Sequence, residues 1–561
     1  MFIKNQRLLL LPFARPVMFI LFLSASMFAP SAFDAGKLRT STQSAPWAAE
    51  QNLTIEDSLG VTNTITVDTA VKYQTVEFFG GCFNELGWKA LLSLPAASSD
   101  SAIGSLFDTV TGCKFNMCRM PIGASDYGLS WYSLDETVND TLMTQINIDR
   151  DKGYLNKFIK AAMKYYPNLT LWACPWSPPT WMKTNGNYPG ANSGFKQLAA
   201  YFKAYALYFD KAIKLYKDDG IPIKALSFQN EPYSASSYPG CLWSAAQCRD
   251  FIKNYLGPHF EQNQIPAEIW TPTMNTGDPN NFKTMLGDSG CSKYIKAACF
   301  QWEGKNAVAS IHQTYPNVRV LQTENECGSA VNDWGYAENP TFYYMKFYFD
   351  NGATSYFQWN MILDNSGKST WGWLQNAMIS IDTAQKKVRY NPQYYAVKHY
   401  SYYVKPGAKK IKSDGTFTNQ VAFMNPDGSV IVVLDNTGTS QTAVGITVGG
   451  KMVNAQLPGK SFATVVFSNV TATVSPGRPV VQTKDFNPGR IQHINGSLSF
   501  VAQGNLFSAH LIRLDGTVVK TAHAKCGATV AFGTKFFPPG TYIVKRVIDG
   551  RALSETVMVN Q

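Results

Sequence analysis

The chain has 561 residues, 45% apolar and 13% aromatic, which makes it globular and too long for one ordinary hydrophobic core. Two or three domains are expected. The net charge of +11 invites a nucleic-acid reading, but residues 1–28 carry +3, residues 469–561 carry +6, and the 440 residues between carry only +2. Basicity confined to the ends says little about what the central body binds, and no nucleic-acid partner is expected.

At the N-terminus Lys4, Arg7 and Arg15 are followed by an apolar run over 17–28 and then by Ala29-Pro30-Ser31-Ala32. This pattern predicts a cleaved secretory signal peptide over 1–32. The run falls short of the about 20 apolar residues that span a bilayer, and no other stretch approaches that length. The mature protein is therefore expected to be soluble and secreted, whether extracellular, at the cell surface or periplasmic. Ten cysteines suit export but are too sparse for a disulfide scaffold. A local Cys241 to Cys248 bridge is expected, with most of the others as buried free thiols.

From about residue 76 to 360, short strand-like runs alternate with amphipathic segments, the rhythm of an α/β fold with a parallel sheet. Eight strands are predicted, over 76–81, 115–122, 169–175, 223–230, 268–274, 295–302, 318–324 and 354–360. Eight such units fit a (β/α)8 TIM barrel, here placed at 76–395. Helices are predicted over 154–166 and 194–216, the second from Phe195, Leu198, Ala199, Phe202, Tyr205 and Ala206 at helical spacing.

After Tyr395 the rhythm changes to short strands separated by Asp414-Gly415, Asn425-Pro426-Asp427-Gly428 and Gly449-Gly450. Residues 396–468 are thus a small all-β module, and the segment 33–75, with a strand over 62–67, is expected to contribute to it. Val474-Ser475-Pro476-Gly477-Arg478-Pro479 reads as a linker. Residues 475–561 then form a further β module with six strands, over 498–501, 508–514, 518–521, 528–532, 541–546 and 553–559.

Catalytic residues of such barrels come from the C-terminal strand ends. Glu231, in Ser227-Phe228-Gln229-Asn230-Glu231-Pro232, follows the fourth strand, and Glu324, in Val320-Leu321-Gln322-Thr323-Glu324, ends the seventh. A glutamate after an apolar run is ordinarily a surface or capping residue. Two at separate strand ends match a glycoside hydrolase, which needs one carboxyl group to protonate the leaving oxygen and one carboxylate to meet the anomeric carbon. Glu326 is a rival for the second role but lies beyond the apolar run.

Trp176, Trp181, Trp302 and Trp359 fall at or just past strand ends, where aromatic faces can carry sugar C–H groups. Glu85, Arg119 and Asp126 are placed to contact hydroxyls or to support the catalytic pair. For Arg119 a structural ion pair beneath the site is an equal alternative.

These segments together resemble glycoside hydrolase family thirty, the group of glucosylceramidases, endo-β-1,6-glucanases and related β-glycosidases. The motifs are Phe79-Gly80-Gly81-Cys82-Phe83-Asn84-Glu85, Arg119-Met120-Pro121, Pro175-Trp176-Ser177-Pro178-Pro179-Thr180-Trp181, Gln229-Asn230-Glu231-Pro232, Thr323-Glu324 and Gln358-Trp359-Asn360. The resemblance implies a retaining hydrolase with Glu231 as acid/base and Glu324 as nucleophile, on a TIM barrel fused to a β-sandwich. It also implies sugar contacts from Glu85, Trp176, Asn230 and Trp359, to which the strand-end position adds Trp302. Phe78 stands where the family usually has Gly, and Glu303 where glucosylceramidases have an aromatic residue. Residues 475–561 lie outside this likeness and resemble sorting or surface-attachment domains of secreted enzymes.

Six scattered histidines form no His-x-x-x-His site and no Cys-x-x-Cys pair occurs, so neither a metal nor another cofactor is expected. The expected partner is a β-linked glycan or glycoside. The leading expectation is a secreted retaining β-glycosidase of β-1,6-glucanase or glucosylceramidase type. An endo-xylanase or other β-glycosidase of the same family, and a non-catalytic carbohydrate-binding surface protein, are the alternatives.

Overall fold

The computed structural model describes residues 36–58, 60–329, 333–468 and 470, and then 492–494, 497–501, 507–513, 518–525, 528–533, 540–548 and 551–559. The expected signal peptide and the linker-like stretch lie outside the described residues. The chain divides into two units, the second beginning at Pro476.

In the first unit eight parallel strands close into a barrel. They are β1 (Phe78–Cys82), β2 (Met117–Pro121), β3 (Thr170–Cys174), β4 (Ile223–Ser227), β5 (Glu268–Met274), β6 (Ile295–Gln301), β7 (Arg319–Glu324) and β8 (Ala353–Asn360). β8 pairs with β1 to complete the ring. All eight expected strands are present, and no expected bound is displaced by more than three residues.

Alternation along each strand sorts the side chains. Met117, Trp172, Cys174, Ala225, Trp270, Ala297, Cys299, Leu321 and Phe357 fill the barrel interior, with Phe78 against them. Their outward neighbours, such as Cys118, Leu171, Ala173 and Leu226, pack under the helices. Gly80 sits where a Cβ would lie 1.7 Å from the Met117 carbonyl oxygen. The Gly80-Gly81 pair therefore serves close approach between β1 and its neighbours.

One expected helix starts late. The segment expected to be helical from 194 remains extended, Lys183 bridging to Phe195 and Gly194 to Leu242, and the helix runs Ala199–Asp218. Leu198, counted in the apolar stripe, is its N-cap and 52% exposed. The expected Cys241 to Cys248 bridge does not form, both thiols being free and buried. Ser244 and Gln247 make a capping box that starts the helix Ala245–Phe251 between them, so Cys248 rides on that helix instead of returning across a turn.

The all-β module is a ten-stranded sheet that recruits Lys37–Ser41 and Asn63–Thr75 from before the barrel. Asn63–Thr75 lies antiparallel to Lys409–Gly415 and parallel to Thr442–Val448. Leu38, Ile65, Val67, Val432, Leu434, Ile446, Ala455 and Val465 belong to its own core. The strand Val430–Asn436 is buried along its whole length because Ile431 and Val433, on its other face, join the core of the barrel. A continuous apolar run is what such a doubly covered strand requires.

The second unit has an antiparallel sheet of Val518–Ala524, Phe507–Arg513, Gly540–Ile548 and Arg551–Val559, and a three-stranded one of Gln492–Ile494, Ser497–Val501 and Thr529–Gly533. Leu498, Leu511, Phe532, Tyr542 and Val544 make its separate core.

Candidate active site

The site begins with a buried cation. Along β2, Met117 faces the barrel interior, so Arg119 two residues later faces inward as well, nearer the C-terminal end. Its guanidinium is fully buried and lies 4.9 Å from the Trp172 ring, 4.3 Å from Trp176 and 5.5 Å from Trp359. Such stacking holds the planar fork in one orientation. One arm of the fork donates to Glu324 Oε2 and the other to Asn230 Oδ1, each at 2.5 Å.

Glu324 owes its direction to a break in register. β6 and β7 pair Phe300 with Gln322 but Gln301 with Glu324, so one residue is gained at the strand end. Strict alternation from the inward Leu321 would turn Glu324 away; the slip turns it inward. Besides Arg119, Trp302 Nε1 donates to Glu324 Oε1 at 2.8 Å and Gln301 Nε2 reaches Oε2 at 3.4 Å. Three donors converging on one carboxylate make it a fixed acceptor.

Glu231 is held differently. Its φ of 43° lies in the left-handed region, unusual for a residue with a Cβ, and its N–H donates to the Thr273 carbonyl at 3.1 Å. The carboxyl group receives a hydrogen bond from the Tyr238 hydroxyl at 2.8 Å, and no lysine or arginine among the described residues pairs with it. Burial first, and the Glu324 carboxylate second, push its pKa up to about 7. One carboxyl group can thus carry a proton near neutrality beside another that is ringed by donors.

Both line a cavity of about 430 Å³ with Asp126, Trp176, Asn230, Trp302 and Trp373. Asn230 Oδ1 accepts from Arg119, Thr273 and Gln301, which fixes the amide and leaves its Nδ2 hydrogens for the cavity. Asp126 is buried, its pKa raised by burial and then by Glu324 and Glu231, and its Oδ1 has no partner. Trp359, expected as a sugar contact, does not line the cavity itself but packs tilted against Trp176 at 5.2 Å, its Nε1 likewise buried without a partner. A hydroxyl-rich ligand in the cavity would satisfy the orphaned Asp126 oxygen.

Two expectations, for Glu85 and Trp181, are corrected by this geometry. Glu85, expected as a sugar contact, starts the helix capped by Asn84 and gives its carboxylate to Arg150 at 3.0 Å and to the Leu129 N–H at 2.7 Å. It anchors the 125–132 loop that carries Asp126 and does not line the cavity. Trp181 is core, its indole donating to the Asp135 carbonyl at 3.1 Å. Glu326 is paired with Lys305 at 2.6 Å, and Lys305 also reaches Glu303 at 3.3 Å. Phe78 lies among the interior side chains at the start of β1, away from the C-terminal strand ends that carry Glu231 and Glu324.

Sequence reasoning missed Tyr238, Thr273, Gln301, Trp373 and Leu374. Gln301 was legible in principle, being the last residue of a strand. Tyr238 and Trp373 stand in irregular loops where no period marks an inward side chain. No cluster of three or more His, Cys, Asp or Glu able to hold a metal occurs among the described residues, and no helix among them is long and apolar enough to cross a membrane.

Residues 76–404 match the glycosyl hydrolase family 30 TIM-barrel domain, and residues 407–465 match the family 30 beta sandwich domain. The chain belongs to glycosyl hydrolase family 30. This family 30 protein is a glycoside hydrolase. It is 31% identical to putative glucosylceramidase 1 of Caenorhabditis elegans, over 67% of this chain and 76% of that one. It is 28% identical to endo-1,6-beta-D-glucanase neg1 of Aspergillus fumigatus, over 79% of this chain and 95% of that one. In fold it resembles SrfJ from Salmonella typhimurium, with a TM-score of 0.72 and 24% identity across 77% of this chain and 99% of that one.

Proposed function

We propose that this family 30 hydrolase is an exported, cofactor-independent enzyme that cleaves β-glucosidic bonds with retention, β-1,6-glucan foremost among its substrates. The observation that carries the reading is the unlike setting of the two glutamates. Glu324, held by Arg119, Gln301 and Trp302, is suited to attack. Glu231, with its pKa raised to about 7, is suited to give a proton.

In the first step a Glu324 oxygen bonds to the anomeric carbon as the bond to the leaving oxygen breaks, and that oxygen takes the Glu231 proton. Esterification removes the Glu324 charge, so the pKa of Glu231 falls and the carboxylate is ready to act as base. Water then attacks the anomeric carbon, gives its proton to Glu231 and releases Glu324. Asn230 and Asp126 offer hydrogen bonds to the bound sugar, and Trp176, backed by Trp359, offers a face.

The leaving group lies on the side of its proton donor. There Trp373 packs edge-on against Tyr238 at 5.0 Å and is 40% exposed, with Leu374 beside it 50% exposed. A flat ring at this position suits a pyranose aglycone. The two kinds of relative, glucosylceramidases and endo-1,6-β-glucanases, support a β-glucosidic linkage, and the ring favours the sugar aglycone.

Incubating the purified protein with β-1,6-glucan, xylan, short β-glucosides and glucosylceramide, with product length and first-released anomer recorded by NMR, tests this. Release of the β-anomer from β-1,6-glucan is expected. Release of the α-anomer would end the retaining reading, and hydrolysis of xylan alone would end the substrate reading. Export rests on the N-terminal charge and apolar pattern, and surface attachment through residues 475–561 on their likeness to sorting domains; fractionating producing cells tests both.

A further inference from the structure

A second cavity, of about 440 Å³, is as large as the catalytic one and shares no lining residue with it. Asp108, Thr111 and Tyr165 place it where helices hand over to β2 and β3, at the barrel end opposite the catalytic strand ends. Its walls are Trp47, Tyr165, Tyr390, Tyr394 and Tyr395. All of these rings except Tyr394 are partly exposed. Ser101, Ser105 and Thr111 add hydroxyl groups, and no aliphatic Leu, Ile, Val or Met takes part.

The decisive residue is Lys398, which lines this cavity yet is only 6% exposed. Its ammonium stands 4.5 Å from the Trp47 ring and donates to the Tyr394 hydroxyl at 3.2 Å. No Asp or Glu pairs with it among the described residues. An ammonium has three N–H donors, and burying one with a single neutral acceptor is costly. Acceptors supplied from the cavity relieve that cost.

We propose that this cavity is a second carbohydrate-binding site, which holds a hexopyranose unit of a glycan while another part of the chain occupies the catalytic cleft. The exposed faces of Tyr390 and Tyr395 carry the sugar's C–H surface, and Lys398 donates to its hydroxyl oxygens. The site binds without cleaving. Its one carboxylate, Asp108, is committed to the Val110 and Thr111 N–H groups and the Thr111 hydroxyl at 2.6 to 3.0 Å. The choice of glycan rests on the reading of the enzyme as a β-1,6-glucanase.

The test uses the full chain, its Tyr390→Ala/Tyr395→Ala double variant and Lys398→Met, each checked for an unchanged melting temperature. Retention is measured by electrophoresis through gels containing β-1,6-glucan, and hydrolysis is measured on an aryl β-glucoside and on the polymer. The double variant is expected to keep its aryl-glucoside kcat/KM, while gel affinity falls about fivefold and polymer KM rises by a similar factor. Retention and polymer KM equal to wild type in both variants would overturn the second site, even if β-1,6-glucan is cleaved. Loss of retention in a protein that cleaves no β-1,6-glucan would sustain the second site and overturn the substrate reading instead.

Discussion

Two chemically identical side chains differ here because their neighbours differ. Among the described residues Arg119 is the one cation buried beside Glu324, Glu231 and Asp126, and its fork is spent on Glu324 and Asn230. Glu231 is governed by desolvation, which outweighs the hydrogen bond it receives from Tyr238. Since the acid must carry its proton to act, kcat/KM should fall as pH rises through about 7. The Tyr238 hydrogen bond favours the charged form, so Tyr238→Phe should move that alkaline limb upward by roughly half a pH unit. A limb that stays in place in the pH profile would mean that Glu231 is not the group titrating. Glu231→Ala should lose about 100-fold or more on substrates with poor leaving groups and far less on activated aryl glucosides. Equal losses on the two would remove Glu231 from the acid role.

At the scale of elements, the barrel was legible because each strand is a short apolar run, with Glu231 and Glu324 falling at or just past a strand end. What alternation misjudges is direction. Glu324 faces inward only through the register slip beside Gln301, and nothing local to either strand announces it. Glu85 shows the reverse error: it follows a strand end in a family motif, yet Arg150, sixty-five residues on, claims its carboxylate. The junction between barrel and sheet was equally unreadable. His399, on the helix Pro392–Ser401, is fully buried and bonds Thr464 and Ser41 from two strands of the sheet, each at 2.9 Å. Burial depresses its pKa to about 3, so the folded state holds it neutral. The unfolded chain takes up a proton below its ordinary value of about 6.5, and stability from this residue should therefore be intact above that pH and fall by about 1.4 kcal/mol per pH unit below it. His399→Gln should flatten the melting-temperature profile between pH 6 and 4. An unchanged slope would show that other groups dominate acid unfolding.

For the whole molecule, the sheet built from both sides of the barrel sequence ties N-terminal, central and late segments into one unit, whereas the unit from Pro476 has its own core. The net charge carried no information about chemistry; the candidate catalytic centre is built around one buried arginine. Five barrel strands lend side chains or backbone to that centre: Arg119 from β2, Asn230 just past β4, Thr273 from β5, Gln301 from β6 and Glu324 from β7. The central claim is that Glu324 is the nucleophile of a retaining hydrolase. Exposing the intact chain to a 2-deoxy-2-fluoro β-glucoside with an activated leaving group, followed by peptide mass mapping, tests it directly. One fluoroglucosyl group on Glu324, absent from Glu324→Gln, is the expected result; label on another residue, or an active enzyme that takes none, would contradict it.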